Sequence, residues 1–293
     1  MSHPEEEYLQ LLRRVLDEGS RRADRTGTGT ISLFGAQMVF DISARFPLLT
    51  TKRVSWHNII TELLWFVNGQ TDSKLLEAKK VRIWQGNTTH QFLDQRGLDY
   101  EEGDAGPIYG FQWRYWNAEY RGAKEDYTGQ GVDQLSQLIE RIKDDPWSRR
   151  HIISAWNVGQ LEQMALPPCH VMAQFYVTAD GHGQPDKLDC MLTQRSADLF
   201  LGVPYNIASY AALTYMVAQL TGLCPGRLVH NLGDAHIYTN HVEQVREQLT
   251  RQPKKWPTLH IEGTISSWED FTKQCFSLEN YDSWPAIRAP MAV

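Results

Sequence analysis

Residues 166–220 read LPPCHVMAQFYVTADGHGQPDKLDCMLTQRSADLFLGVPYNIASYAALTYMVAQL. Val171 to Val177 and Leu188 to Thr193 have the composition of strands, and the polar, Gly/Pro-containing stretch Ala179 to Lys187 between them reads as their turn. Ile207 to Leu220 is nearly all apolar and longer than a strand runs, so it predicts a buried helix. Strands that feed one buried helix point to an α+β chain.

Working outward, His151 to Trp156 predicts another strand and Val132 to Ile142 a helix. Residues 85–130 are rich in Gly, Asp, Asn and Gln with little periodicity, and read as a surface excursion of loops and short elements. Ile59, Ile60, Leu63, Leu64, Phe66 and Val67 form an apolar helix that holds one carboxylate, Glu62. Ile31, Leu33, Met38 and Phe40 predict two strand segments bent at Gly35. Tyr8, Leu11, Leu12, Val15 and Leu16 recur at helical spacing before Gly19. A more polar helix is expected over Thr239 to Leu249. With no repeat, low-complexity tract or linker, residues 1–293 read as one domain.

Hydrophobic residues make up 42% of the chain and charged residues 22%, enough for a large core without metals or disulfides. The formal net charge of −6 argues against a broad nucleic-acid or membrane-binding surface. No apolar run approaches the ~18 residues of a membrane span, and Glu5 to Glu7 are unlike a basic signal segment, so a cytoplasmic protein is expected. Cys169, Cys190, Cys224 and Cys275 form no CxxC pair or metal-ligand spacing and read as free thiols.

Cys169 lies in Pro167-Pro168-Cys169-His170, where a loop enters a strand. It is either a small buried hydrophobe or a nucleophile whose approach the prolines fix and whose pKa nearby arginines lower. Arg25 in DRTGTGT, the Arg149-Arg150 pair, and Arg195 beside Ser196 are each ordinary surface charges when read singly; together they make a phosphate clamp, because guanidinium matches phosphate bidentately. Glu62 must be partnered, protonated or beside a polar cavity. Asn206 is either a helix N-cap or a reader of a base edge. Gly233 to Tyr238 is either a strand end or a pair of polar side chains, His236 and Tyr238, aimed at a sugar.

Eight segments in order, DRTGTGT (24–30), FPLLTTKR (46–53), ELLWF (62–66), GPIYGFQWR (106–114), ALPPCH (165–170), QRS (194–196), GVPYNIASY (202–210) and GDAHIY (233–238), resemble the thymidylate synthase family along nearly the whole chain. The resemblance implies a homodimer built on a large, bent, mixed sheet flanked by helices, with the two sheets back to back. It implies that deoxyuridine monophosphate (dUMP) is the substrate, its phosphate held by Arg25, Arg195 and Ser196, with Arg149 and Arg150 reaching over from the partner subunit. Asn206 then reads uracil, Gln194 joins the nucleotide-binding group, and His236 and Tyr238 take the deoxyribose hydroxyl. Ile83, Trp84, Asn87, Leu166, Asp198, Gly202, Tyr205, Met291 and Ala292 fall where the family holds folate. Cys169 is the implied nucleophile, with Glu62, Tyr109, His170, Asp198, Asn206 and Trp84 in the catalytic group. The co-substrate is 5,10-methylenetetrahydrofolate, and no metal is called for.

The chain departs from the usual family pattern at Gln85, Thr193, Tyr205 and Ser283-Trp284-Pro285. Related pyrimidine hydroxymethylases share the first half of the chemistry and let water capture the methylene. A polar Tyr205 or Gln85 keeps that alternative open, whereas Trp84 and a closing tail at Met291 favour hydride transfer.

Overall fold

A computed structural model describes residues 3–291. In chain order its elements are α1 (Glu6–Glu18), β1 (Ser20–Arg22), β2 (Thr30–Asp41), α2 (Trp56–Val67), α3 (Lys74–Ala78), α4 (His90–Gln95), α5 (Tyr109–Tyr115) and α6 (Gln134–Asp144), then β3 (Ile152–Ser154), β4 (His170–Ala179), β5 (Pro185–Asp198), α7 (Gly202–Thr221), β6 (Cys224–Tyr238), α8 (Val242–Leu249), β7 (Thr258–Ile261) and β8 (Phe276–Glu279). Six strands form one mixed sheet in the order β1-β2-β6-β5-β4-β3, and β7 pairs with β8 apart from it. Within the large sheet only β5 and β6 run parallel. A parallel pair needs a crossover, and α7 supplies it, packed on both strands it joins.

α7 is apolar all round because it is the centre of the helical layer, with α2 and α6 outside it and the sheet beneath. α1 covers β2 with Tyr8, Leu9, Leu12 and Val15, all fully buried. Its neighbour Glu5 is also fully buried, although it carries a carboxylate. The Glu5 carboxylate accepts from the backbone N–H and hydroxyl of Thr50, the same two groups of Thr51, and the Trp256 indole. A buried charge persists when its lone pairs are filled in this way.

The sheet is creased along one line. On β2 the buried residues switch from Ile31 to Ala36, Met38 and Phe40; on β6 they switch from Leu228, His230 and Leu232 to Ala235 and Ile237. On β5 they switch from Leu192 and Gln194 to Ala197. β4 and β5 slip register between His170 and Met172. Gly35 is the β2 point of the crease, with φ +79, and Gly233 lies opposite it, where an added Cβ would stand 2.8 Å from the Arg195 carbonyl oxygen. β2 is therefore one strand bent at Gly35, since its pairing with β6 keeps one register on both sides.

Residues 85–130 are only partly a surface excursion. α5 lies within them, packed on α2 and α6, with Tyr109, Phe111, Gln112 and Trp113 buried. The polar residues that hid this element make an internal amide network: Asn157 Nδ2 donates to Gln112 Oε1, Asn117 Oδ1 and Gln160 Oε1.

Candidate active site

The crease gathers the candidate residues from separate elements. Cys169 ends the Pro-Pro loop just before β4, and its backbone N–H donates to Tyr109 Oη at 2.8 Å, from the first turn of α5. The Arg195 N–H donates to the Cys169 carbonyl, while the Arg195 guanidinium donates to the carbonyls of Pro168 (2.9 Å) and Pro167 (2.8 Å) and lies 5.4 Å from the Trp156 ring. Arg195 thus clasps the loop that carries the thiol. The expected lowering of the thiol pKa is not found: burial pushes Cys169 up, opposed by Arg195 and a Tyr109 hydrogen bond.

Glu62 on α2 is partnered. Its Oε1 accepts from Trp84 Nε1 at 2.7 Å, and burial pushes its pKa up to about 7 despite that bond. Burial raises Tyr109 too, with the Cys169 charge adding to the effect, so its hydroxyl stays protonated at neutral pH.

Asn206 is not an N-cap: α7 begins at Gly202, five residues before the predicted apolar run, and Asn206 sits inside its first turns. Pro204 near a helix start is compatible because the missing N–H has no intrahelical partner there. The Asp198 carboxylate accepts from Phe200 and Leu201 N–H and holds the turn into α7. Gln194 Nε2 donates to Asn206 Oδ1 at 3.1 Å, and burial lowers the pKa of His170 to about 4, opposed by nearby Asn206. Gly202 stands beside both Asp198 and Asn206.

At the far end of β6, His236 is buried against Asp234 and its ring lies 5.2 Å from that of Tyr238. Burial pushes Tyr238 up to about 12, with Asp198 and Asp24 adding and Arg25 opposing, so the DRTGTGT loop approaches this strand end. That loop is tied down: Asp24 accepts from Thr26 and Gly29 N–H, and Thr239 Oγ1 donates to the Thr28 carbonyl. Arg25 itself is exposed and Ser196 half-buried.

Ile83 is half-buried beside the core, Asn87 half-buried, and Leu166 adjoins the thiol loop. Met291 is 51% exposed, and the preceding Pro290 carbonyl is bound by His241 Nε2 at 2.7 Å; Ala292 lies outside the described residues. Arg149 and Arg150 are not brought to this cluster. Both are exposed at the start of β3, which runs antiparallel to β4, about 20 Å along the strand from Cys169.

Three groups escaped the sequence reading of the site. Lys52 is buried with its Nζ 3.5 Å over the Phe200 ring and bonded to the Phe200 carbonyl; burial lowers its pKa to about 7, opposed by Asp198. His230 joins Gln194 from β6. A third group, Trp156, packs under Arg195. A lysine directly after FPLLTT was the one available signal among these. Of the departures, Thr193 alternates with Gln194 and faces the other side of the sheet, and Gln85 is exposed.

Reactive groups collected on the creased edge of a mixed sheet are the architecture of an enzyme, and this enzyme is a one-carbon transferase. The chain belongs to the thymidylate synthase family, whose model, described as "Thymidylate synthase", matches residues 6–293. It is similar to thymidylate synthase of Herpesvirus ateles, at 52% identity over 99% of both chains. It is 54% identical to thymidylate synthase of Human herpesvirus 8 over 99% of this chain and 85% of that one, and 51% identical to thymidylate synthase of Homo sapiens over 99% and 91%.

Proposed function

We propose that this enzyme converts dUMP to thymidylate (dTMP) through a covalent adduct between Cys169 and carbon 6 of the pyrimidine. The observation that carries the reading is the direct tie of Cys169 to Tyr109, whose hydroxyl also feels the charge of Glu62, an acid pushed to about 7. Carbon 5 of uracil is a poor nucleophile; addition of the Cys169 thiolate at carbon 6 makes it an enolate carbon. Glu62 can give and take a proton near pH 7, and Tyr109, which stays protonated, donates beside it. Asn206 meets the base, with His236 and Tyr238 toward the sugar and Arg25, Arg195 and Ser196 toward the phosphate.

5,10-Methylenetetrahydrofolate, as co-substrate, supplies the one-carbon unit and the hydride. A cleft of about 770 Å³ lined by Trp56, Tyr205 and Tyr281 together with Arg53, His57 and Lys273 suits an aromatic ring system with an acidic tail. Ile83, Trp84, Asn87, Leu166, Asp198, Gly202, Tyr205 and Met291 complete the folate side. Capture of the methylene by water is disfavoured by the full-length relatives, which are thymidylate synthases.

The reading includes a homodimer. Phe34 (88% exposed), Val39, Ile152 and Tyr176 (59% exposed) leave apolar groups uncovered on the sheet, and distant Arg149 and Arg150 need a second subunit to serve a phosphate. Cytoplasmic placement is supported by four free thiols.

The enzyme is incubated with dUMP and methylenetetrahydrofolate while dihydrofolate absorbance is followed and the nucleotide mass is measured. Thymidylate and dihydrofolate should rise in step; a hydroxymethylated nucleotide with no absorbance change overturns the reading.

A further inference from the structure

His230 is fully buried on β6, and its Nε2 lies 2.8 Å from Gln194 Oε1. A third group decides which end of the Gln194 amide faces it. Gln194 Nε2 donates to the Ser196 carbonyl at 2.9 Å, and a backbone carbonyl can only accept. Oε1 therefore faces His230, and His230 must carry its proton on Nε2. The remaining hydrogen of Gln194 Nε2 goes to Asn206, which makes the receiving atom Oδ1. His230 Nδ1 has no partner among the described residues, as suits a lone pair and not an N–H. Burial pushes the His230 pKa down to about 3, so the ring is neutral and its tautomer is the signal.

We propose that His230 is a positioning residue for base selection: with the Ser196 carbonyl it holds Gln194, and through Gln194 the Asn206 carboxamide, in the orientation that fits uracil and rejects cytosine. This rests on the reading of Asn206 as the group that meets the pyrimidine edge. Uracil offers an acceptor at oxygen 4 and a donor at nitrogen 3; cytosine exchanges the two. A free asparagine turns its amide half a revolution and reads either base. Turning Asn206 here sets its NH2 against the NH2 of Gln194. Turning Gln194 as well sets its oxygen against the Ser196 carbonyl and its NH2 against the His230 N–H, a clash relieved only by moving the ring proton to Nδ1. Discrimination is thus stored in part in a relay of buried groups behind Asn206.

The dissociation constants of dUMP and deoxycytidine monophosphate are measured by calorimetry for the wild type, His230→Leu, His230→Gln and Asn206→Ala. The leucine variant should lose about tenfold of the preference for dUMP, the worth of one buried hydrogen bond. The glutamine variant, whose Nε2 can stand where the ring N–H stood, should keep it. General damage to the fold would weaken both nucleotides together and leave their ratio unchanged. A wild-type ratio in His230→Leu with a lost preference in Asn206→Ala overturns the relay and leaves Asn206 as base reader. An unchanged ratio in Asn206→Ala overturns the base reading itself, and the relay with it. Should His230→Leu fail to fold, long-range ¹H–¹⁵N spectra of the wild type decide: an Nε2–H tautomer supports the relay, and Nδ1–H overturns it.

Discussion

The indole N–H of Trp84 donates to Glu62 Oε1 at 2.7 Å across 22 residues of chain, inside a cluster with Trp65, Phe66 and Tyr109. Burial favours the neutral acid and this bond favours the anion; the balance lies at about 7. Trp84→Phe keeps the ring and removes the donor, so the acid should titrate higher. The limb of the kcat/KM profile belonging to Glu62 should move to higher pH, and a limb that stays in place would show that the indole does not tune the acid.

Glu62 also ties stability to pH. Its folded pKa is raised from an ordinary 4.5 to about 7, so its contribution is fully present below pH 4.5 and is lost as pH rises through 7, by about 3 kcal/mol. Glu62→Gln cannot ionise and should gain on the wild type across that window. Thermal unfolding of both proteins at pH 4.5 and pH 8 checks this. Parallel curves would mean that Glu62 does not stay buried as it titrates.

The proposed sharing of arginines predicts rescue in hybrids. Arg150→Ala and Cys169→Ser should each be nearly inactive, the second because a serine hydroxyl is scarcely ionised near neutral pH. At equal mixing with free exchange, roughly a quarter of all sites regain both residues in a two-fold dimer. Recovery of turnover after exchange is the readout. Exchange seen by native mass spectrometry without recovery contradicts a shared site.

Glu5 is the prediction for stability alone. Glu5→Ala leaves the Thr50, Thr51 and Trp256 donors buried without an acceptor, at about 3–5 kcal/mol, or on the order of 10 °C in Tm. A Tm within a degree or two of the wild type would mean that water replaces the carboxylate.

Regular periodicity made α1, α2 with Glu62, most of β4 and the middle of β5 legible from sequence, while Pro185 to Lys187, read as turn, already belong to β5. It failed where the crease changes the face of a strand. β5 reads as ending at Thr193 because period 2 breaks at Arg195. Of β6 only the end, Gly233 to Tyr238, was offered as a strand end; the rest escaped notice because its buried positions include His230 and its turning point is Gly233, neither a strand signal. Asn206 was mistaken for a possible cap because Pro204 and Gly202 resemble a loop and not the first turn of a helix. Glu5 gave no sign of burial because its partners lie 45 to 251 residues away. The proposed roles of Cys169 and Arg195 rest on the family motifs; that Arg195 clasps the Pro-Pro loop was not legible there.

The crease also governs when during folding a site can exist. The segments around its strands are joined by contacts such as Thr28 with Thr239, 211 residues apart, and Tyr8 with Leu199, 191 apart. Closing such loops is slow and is rewarded only once the parallel pair has formed around its crossover helix. A ribosome-bound chain that has not yet exposed residue 239 can build helices, but it has no place to bind a nucleotide. Nucleotide capture by stalled nascent chains should therefore begin abruptly, late in synthesis, without weaker precursors.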